Sequence, residues 1–298
     1  MNFPLKSGEY QDQLMDSTRW DDFPYRDGDI VIGTWAKSGT TWTQQIMGQL
    51  LFNGEPHLPV MDIAPWVDLR LFPVESVREV VDSQDHRRFL KTHLPGDSIT
   101  IDPRASYIYI GRGGLDTLWS WYHHHKILTP ESYELINNHP ENPGVTLEPP
   151  IEDRRQYLRD WLENDGFPMG PFWRTTQSWW DIGHAPNVLL LHFNNLKADM
   201  EGEIRRIAAF LNIEIDETKW PDIVEHCTFD YMKKNADDLS PENYSALFSG
   251  GLTNFVNKGK NGRWVDTFTS EDVALYEKHR DDNLTPECAH WLETGEIQ

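Results

Sequence analysis

Four short strand-like runs, separated by stretches with a helical period, constrain this chain more than any other feature. The runs are Ile30-Val31-Ile32-Gly33, Arg88 to His93, Tyr107-Ile108-Tyr109-Ile110 and Val188 to Phe193. Thr41 to Phe52 and Leu115 to His125 read as helices, and Ile204, Ile207, Ala208 and Leu211 fall at i, i+3, i+4, i+7. Near-continuous apolar strands alternating with helices imply a parallel sheet buried on both faces. The expected fold class is therefore α/β, a single domain over 1–298 with a central parallel sheet flanked by helices. Residues 129–150 carry five prolines without a clear period and read as a lid or mobile loop.

Composition limits the partners. The 298 residues hold 27 Lys+Arg against 48 Asp+Glu, a net charge of -21. Nothing in that balance draws the chain toward a nucleic acid. The 13 Trp and a 38% hydrophobic share are enough to fill a large core. Cys227 and Cys288 have neither CxxC nor zinc spacing, which suits a reducing compartment. No apolar stretch reaches the roughly 18 residues of a membrane span, and Met1 to Glu9 lacks a signal-peptide core. A cytoplasmic protein with no membrane partner is expected.

Two motifs carry chemistry. After the first run comes Lys37-Ser38-Gly39-Thr40-Thr41-Trp42. A strand, a glycine-containing loop and a helix start place free N–H groups and a helix dipole toward an anion. Lys37 adds a charge, and Ser38, Thr40 and Thr41 add hydroxyls. The lysine precedes the glycine, unlike the Walker pattern, so the ATPase template does not transfer. Ser-Gly-Thr-Thr also reads as a plain helix N-cap. The second motif is Lys91-Thr92-His93-Leu94-Pro95. Alternation puts Lys91 and His93 on one face, and Pro95 ends the strand beside His93. In open α/β sheets that end faces the ligand crevice, where a histidine can act as general base.

With Arg112, Ser120 eight residues later, and Lys258-Gly259-x-x-Gly262-x-Trp264, these motifs occur in the order found in cytosolic-type sulfotransferases that use 3'-phosphoadenosine 5'-phosphosulfate (PAPS). The chain resembles a bacterial member of that family over roughly Asp27 to Phe268. The resemblance implies a five-stranded parallel sheet of P-loop-like type, and sulfuryl transfer without a metal to a small aromatic or alcoholic acceptor. It implies His93 as base and Lys37 and Lys91 at the leaving oxygen. It also implies Lys37 to Thr41 on the 5'-phosphosulfate, Trp42 and Phe229 on the adenine, and Arg112, Ser120, Lys258 and Gly259 on the 3'-phosphate.

Three departures bear on this. Asn257 stands where the family carries arginine, which implies weaker cofactor affinity. Phe193 replaces a frequent tyrosine, and Gly113-Gly114 loosens the backbone after Arg112. The animal dimer motif does not carry over at Val265 to Ala274, so the oligomeric state stays open. His123-His124-His125 project in three directions and make a poor metal site. Tyr122 or His123 are candidates for the acceptor site. Trp66, Phe72, Phe172, Trp173 and Phe248 are candidates for its apolar lining, though each also suits the core. An ATP-dependent kinase-like enzyme and a non-catalytic nucleotide-binding protein remain as alternatives.

Overall fold

The computed structural model describes residues 3–240 and 244–297. Residues 1, 2, 241–243 and 298 lie outside the described residues, so the reading of Met1 to Glu9 is covered only from residue 3. Among the described residues the sheet has four strands, β1 (Ile30–Thr34), β2 (Phe89–Thr92), β3 (Ser106–Gly111) and β4 (Val188–His192). They lie in the order β2-β1-β3-β4 and every pairing is parallel. The chain leaves β1 toward β2 on one side and returns to β3 on the other. β1 and β3 thus flank the point where strand order reverses, the place where such sheets open a crevice at their carboxyl ends.

The resemblance leads one to expect five strands, and four form. Beside β2 there is only a single parallel bridge, Trp66 with Lys91. Pro65 supplies a carbonyl to Lys91 but has no N–H to continue a ladder.

Burial follows the period-2 pattern. Ile30, Ile32, Phe89, Ile108 and Ile110 face one core, which α1 (Thr40–Leu51) covers with Ile46 and Met47. Val31, Leu90, Tyr107 and Tyr109 face the other, where the Trp179 ring stacks on Tyr109 at 5.2 Å. Trp179 presses so closely on β1 that a Cβ at Gly33 would meet it at 2.6 Å.

The other runs hold with small shifts of boundary: α2 spans Gly114–Lys126. Residues 129–150 differ from the sequence expectation. Thr129 caps a helix, α3 (Pro130–Asn138), by accepting from the Ser132 amide. Proline there begins the helix instead of breaking it, because the first-turn N–H has no helical partner anyway. No helix among the described residues is long and apolar enough to cross a membrane.

Candidate active site

At the carboxyl ends of β1 and β3 a cavity of about 310 Å³ opens. Its floor is the loop between β1 and α1. Lys37 there has φ +66° and Gly39 φ +127°. Only glycine holds that second conformation without strain, and a Cβ at Gly39 would lie 2.8 Å from Ile110. The Ser38 amide is used by Trp35 O, and the first helical bond runs from Thr43 N to Gly39 O. The amides of Gly39, Thr40 and Thr41 meet no acceptor among the described residues. They form the anion-facing end of a twelve-residue helix.

Charge in the cavity is one-sided. Lys37, Lys91, Arg112, Lys197, Lys258, Lys260 and Arg263 line it, against one carboxylate, Asp116. None of these seven cations has an ion-pair partner within 4 Å among the described residues, although most other basic side chains do. The chain as a whole is strongly anionic, so this concentration of unpaired positive charge marks a site for an anion. Mutual repulsion and burial leave their mark. Burial first, then Arg112 and Lys91, push the Lys37 amine down to about 7. Burial lowers Lys91 to about 8, partly opposed by Asp68. Burial also lowers Arg112 to about 10.

Arg112 is buried and four of its five N–H groups are used. Its Nε and Nη2 both donate to Asn261 Oδ1, at 3.1 and 2.8 Å, while Nη1 donates to Lys37 O and Nη2 also to Lys260 O. Its guanidinium lies 4.3 Å over the Phe193 ring. Phenylalanine at 193 thus provides a flat face for the cation. Phe193 in turn meets the Trp42 ring edge-on at 5.5 Å, and Trp42 is anchored by its indole N–H to Cys227 O.

The second motif is held from beneath. His93 Nδ1 lies 2.7 Å from Thr34 O and 3.0 Å from Thr34 Oγ1. A carbonyl accepts only, so Nδ1 carries the proton and the Nε2 lone pair stays free. Burial, Lys91 and Lys37 hold His93 well below its usual range, so the imidazole is neutral at pH 7. Trp66 meets His93 edge-on at 4.7 Å and carries Lys91 Nζ 4.3 Å over its face. The buried Asp68 accepts from the indole N–H groups of Trp66 and Trp20, at 2.7 and 3.1 Å, and so fixes the ring.

The cavity gathers His93, Lys37, Lys91, Gly39, Thr40, Thr41, Trp42, Arg112, Ser120, Phe193, Phe229, Asn257, Lys258 and Gly259 from distant segments. Ser38 belongs to the loop but is buried and does not line the cavity. Of the aromatic candidates, Trp66 and Phe248 line it. Phe172 and Trp173 are core residues and Phe72 lies on the surface. Tyr122 and His123 turn away, and their neighbour His124 faces in. Asp116, Ser120 and His124 are four apart on α2, and that spacing from Ser120 was the available signal. Lys197, Lys260, Arg263 and Asp68 gave none, since each depends on where a loop returns.

The depressed lysines make a prediction about stability. Between about pH 7 and the ordinary lysine range, the unfolded chain binds protons that folded Lys37 and Lys91 do not. Stability therefore rises with pH through that window. The melting temperature of the ligand-free protein is expected to climb from pH 7 to pH 9 in a thermal-shift series. A flat or falling profile would contradict the charge crowding described above.

Comparison with known proteins gives the family and the fold. Residues 27–286 match the Sulfotransferase domain family. A glycolipid sulfotransferase of Mycobacterium bovis is 29% identical over 96% of this chain and 94% of its own length. Sulfotransferase 1A1 of Rattus norvegicus is 26% identical over 91% of this chain and 88% of its own. Among solved structures, a mouse sulfotransferase complexed with PAP superposes with a TM-score of 0.68 at 22% identity, covering 92% of this chain and 90% of that one. A retinol dehydratase in a complex with retinol and PAP gives 0.70 at 21%, covering 91% and 85%.

Proposed function

The chain belongs to the sulfotransferase domain family, and from that premise we propose that it moves a sulfuryl group from PAPS to a hydroxyl or amine of a small acceptor. The observation that carries this reading is the cavity of seven cations that have no ion-pair partner among the described residues, beside the amides of Gly39, Thr40 and Thr41, which meet no acceptor among them. PAPS, carrying anionic groups at both its 5' and 3' positions, fits that donor set and brings the transferable sulfuryl group.

Lys37 and the amides of Gly39 to Thr41 hold the 5' end. Trp42 and Phe229 offer faces for the base, where stacking is worth about 1–3 kcal/mol. Arg112, Ser120, Lys258 and Gly259 hold the 3'-phosphate. Asn261 Oδ1 occupies the fork of Arg112 where phosphate oxygens would lie, so cofactor entry exchanges an amide oxygen for an anion. Asn257 lacks the family's charge, and Lys260 and Arg263 bring two cations to the same rim.

The chemistry then falls to this chain's own groups. His93, with its proton on Nδ1 and Nε2 bare, takes the acceptor's proton as the new bond to sulfur forms. Lys37 and Lys91 stabilise the charge left on the bridging oxygen. An anion in the cradle also raises the proton affinity of His93, which strengthens the base only when the cofactor is present.

The experiment offers the protein PAPS, or separately ATP and Mg²⁺, with a panel of phenols and alcohols, and follows transfer and binding of the desulfated nucleotide PAP. Transfer from PAPS is expected. Transfer from ATP would select a kinase-like enzyme, and binding without transfer a nucleotide-binding protein. A second measurement tests the rim. The double variant Lys260→Met/Arg263→Met is expected to raise the Kd for PAP about 10-fold, with little change for adenosine 5'-phosphate, by calorimetry.

A further inference from the structure

Beyond the cradle the cavity continues into a chamber walled by aliphatic and aromatic side chains, among them Leu14, Leu69, Leu128, Ile136 and Phe248. His124 interrupts that wall. Its ring is packed by Trp121 at 5.3 Å, Phe248 at 5.1 Å and Phe255 at 5.5 Å. Phe255 also carries Lys37 Nζ 4.1 Å over its face, so His124 adjoins the reacting end of the chamber. Lys91, Trp66 and His93 line the same cavity, and Lys37, Lys91 and His93 all bear electrostatically on His124.

Neither nitrogen of His124 has a hydrogen-bond partner among the described residues. Nδ1 is closed off without a partner. The residue lines the cavity, so Nε2 is the nitrogen that opens to it. A closed-off nitrogen with no acceptor is better left as a lone pair than as an unpaired N–H, which places the proton on Nε2. Burial, with Lys37 next, holds the ring neutral by keeping it well below its usual range. The chamber therefore presents two neutral imidazoles of opposite polarity. His93 accepts a proton, and His124 donates a hydrogen bond.

We propose that His124 is a specificity residue that selects amphiphilic alcohols bearing a second oxygen beside the reacting hydroxyl. The reacting O–H faces His93, the neighbouring hydroxyl or ether oxygen accepts from His124 Nε2–H, and the apolar remainder fills the leucine-lined chamber. A vicinal diol, a glycerol or a sugar ring on an alkyl chain meets all three demands. A simple alkyl alcohol leaves the His124 donor unpaired in a dry wall, and sites built to hydrogen-bond a hydroxyl reject analogues that lack it. This inference rests on the sulfuryl-transfer reading only for the identity of the reaction, since the contact itself is one of binding.

The test compares 1,2-decanediol with 1-decanol in two readouts, transfer from PAPS and calorimetric binding to the PAP-saturated protein. The wild type is expected to favour the diol by about 10-fold or more in kcat/KM and in affinity. His124→Phe keeps the ring and its packing and is expected to bring both ratios close to one. His124→Gln keeps a donor near the Nε2 position and is expected to retain most of the preference, which a merely structural role would not produce. Equal handling of the two alcohols by the wild type, failure of the diol to bind, or an unchanged ratio in His124→Phe overturns the proposal. Diol-selective binding that His124→Phe removes, with no transfer to any alcohol, would uphold the anchor and remove the sulfotransferase reading instead.

Discussion

Replacing His93 with alanine is expected to lower kcat at least about 100-fold while leaving PAP binding within a small factor of the wild type. General-base catalysis typically contributes 10²–10⁴-fold. The side chain is already oriented to take a proton, since Thr34 O holds Nδ1–H at 2.7 Å and leaves Nε2 as the only basic nitrogen. No second group replaces it. With the anionic cofactor bound Lys91 and Lys37 hold their protons more firmly and act as cations, and His124 presents a proton instead of a lone pair. His93 enters the cavity from the end of β2, on the far side of β1 from β3 and Arg112, so its loss removes none of the cations that line it. The loss should therefore appear in kcat with the nucleotide Kd preserved. Retention of full activity would remove His93 from the mechanism. A parallel collapse of PAP affinity would make it a structural residue of the cradle.

Arg112→Ala is expected to raise the Kd for PAP about 100-fold and to change that for adenosine 5'-phosphate far less. Charge-assisted hydrogen bonds are worth roughly 1.5–3 kcal/mol each, and tenfold in affinity is about 1.4 kcal/mol. Arg112 is buried, lies flat on Phe193 and already donates to three oxygen atoms, so its fork is fixed before ligand arrives. Fixing the donor in advance limits the entropy lost on binding. Arg112→Lys should restore only part of the affinity, because an ammonium has neither the fork nor the flat face. One effect opposes the loss: Arg112 helps depress Lys37, and its removal lets Lys37 hold its proton more firmly. That gain acts on the 5' end in both nucleotides, so the ratio of their affinities isolates the 3'-phosphate. An equal fall for both would place Arg112 in the general field of the cavity instead of a 3' subsite.

The strand runs and the two helices that follow β1 and β3 were legible in the sequence because their signals are local. A buried parallel strand must be apolar on both faces, and a helix against it must repeat every 3.6 residues. The segment 129–150 misled for a local reason as well: five prolines suggest a loop, but Pro130 sits where a helix tolerates one. At the expected fifth strand Pro65 has no N–H to extend the ladder one way, and the Leu69 amide turns back to Trp66 O on the other, so among the described residues the sheet edge keeps one bridge.

By itself the sequence determined the glycine-containing loop at Lys37 to Thr41 that opens α1, the pairing of Lys91 with His93 on one strand face, and Arg112 at the end of the next. All three depend on backbone geometry over a few residues. Only the tertiary structure decided the rest. Which of three consecutive histidines enters the cavity depends on the rotation of α2, and core packing on its other faces sets that rotation. Whether Lys260 and Arg263 join Arg112 depends on where a distant loop lands. The net charge of -21 belongs to the sequence. Its uneven distribution arises when folding brings cations from five segments to one crevice and, among the described residues, only one carboxylate, Asp116, with them.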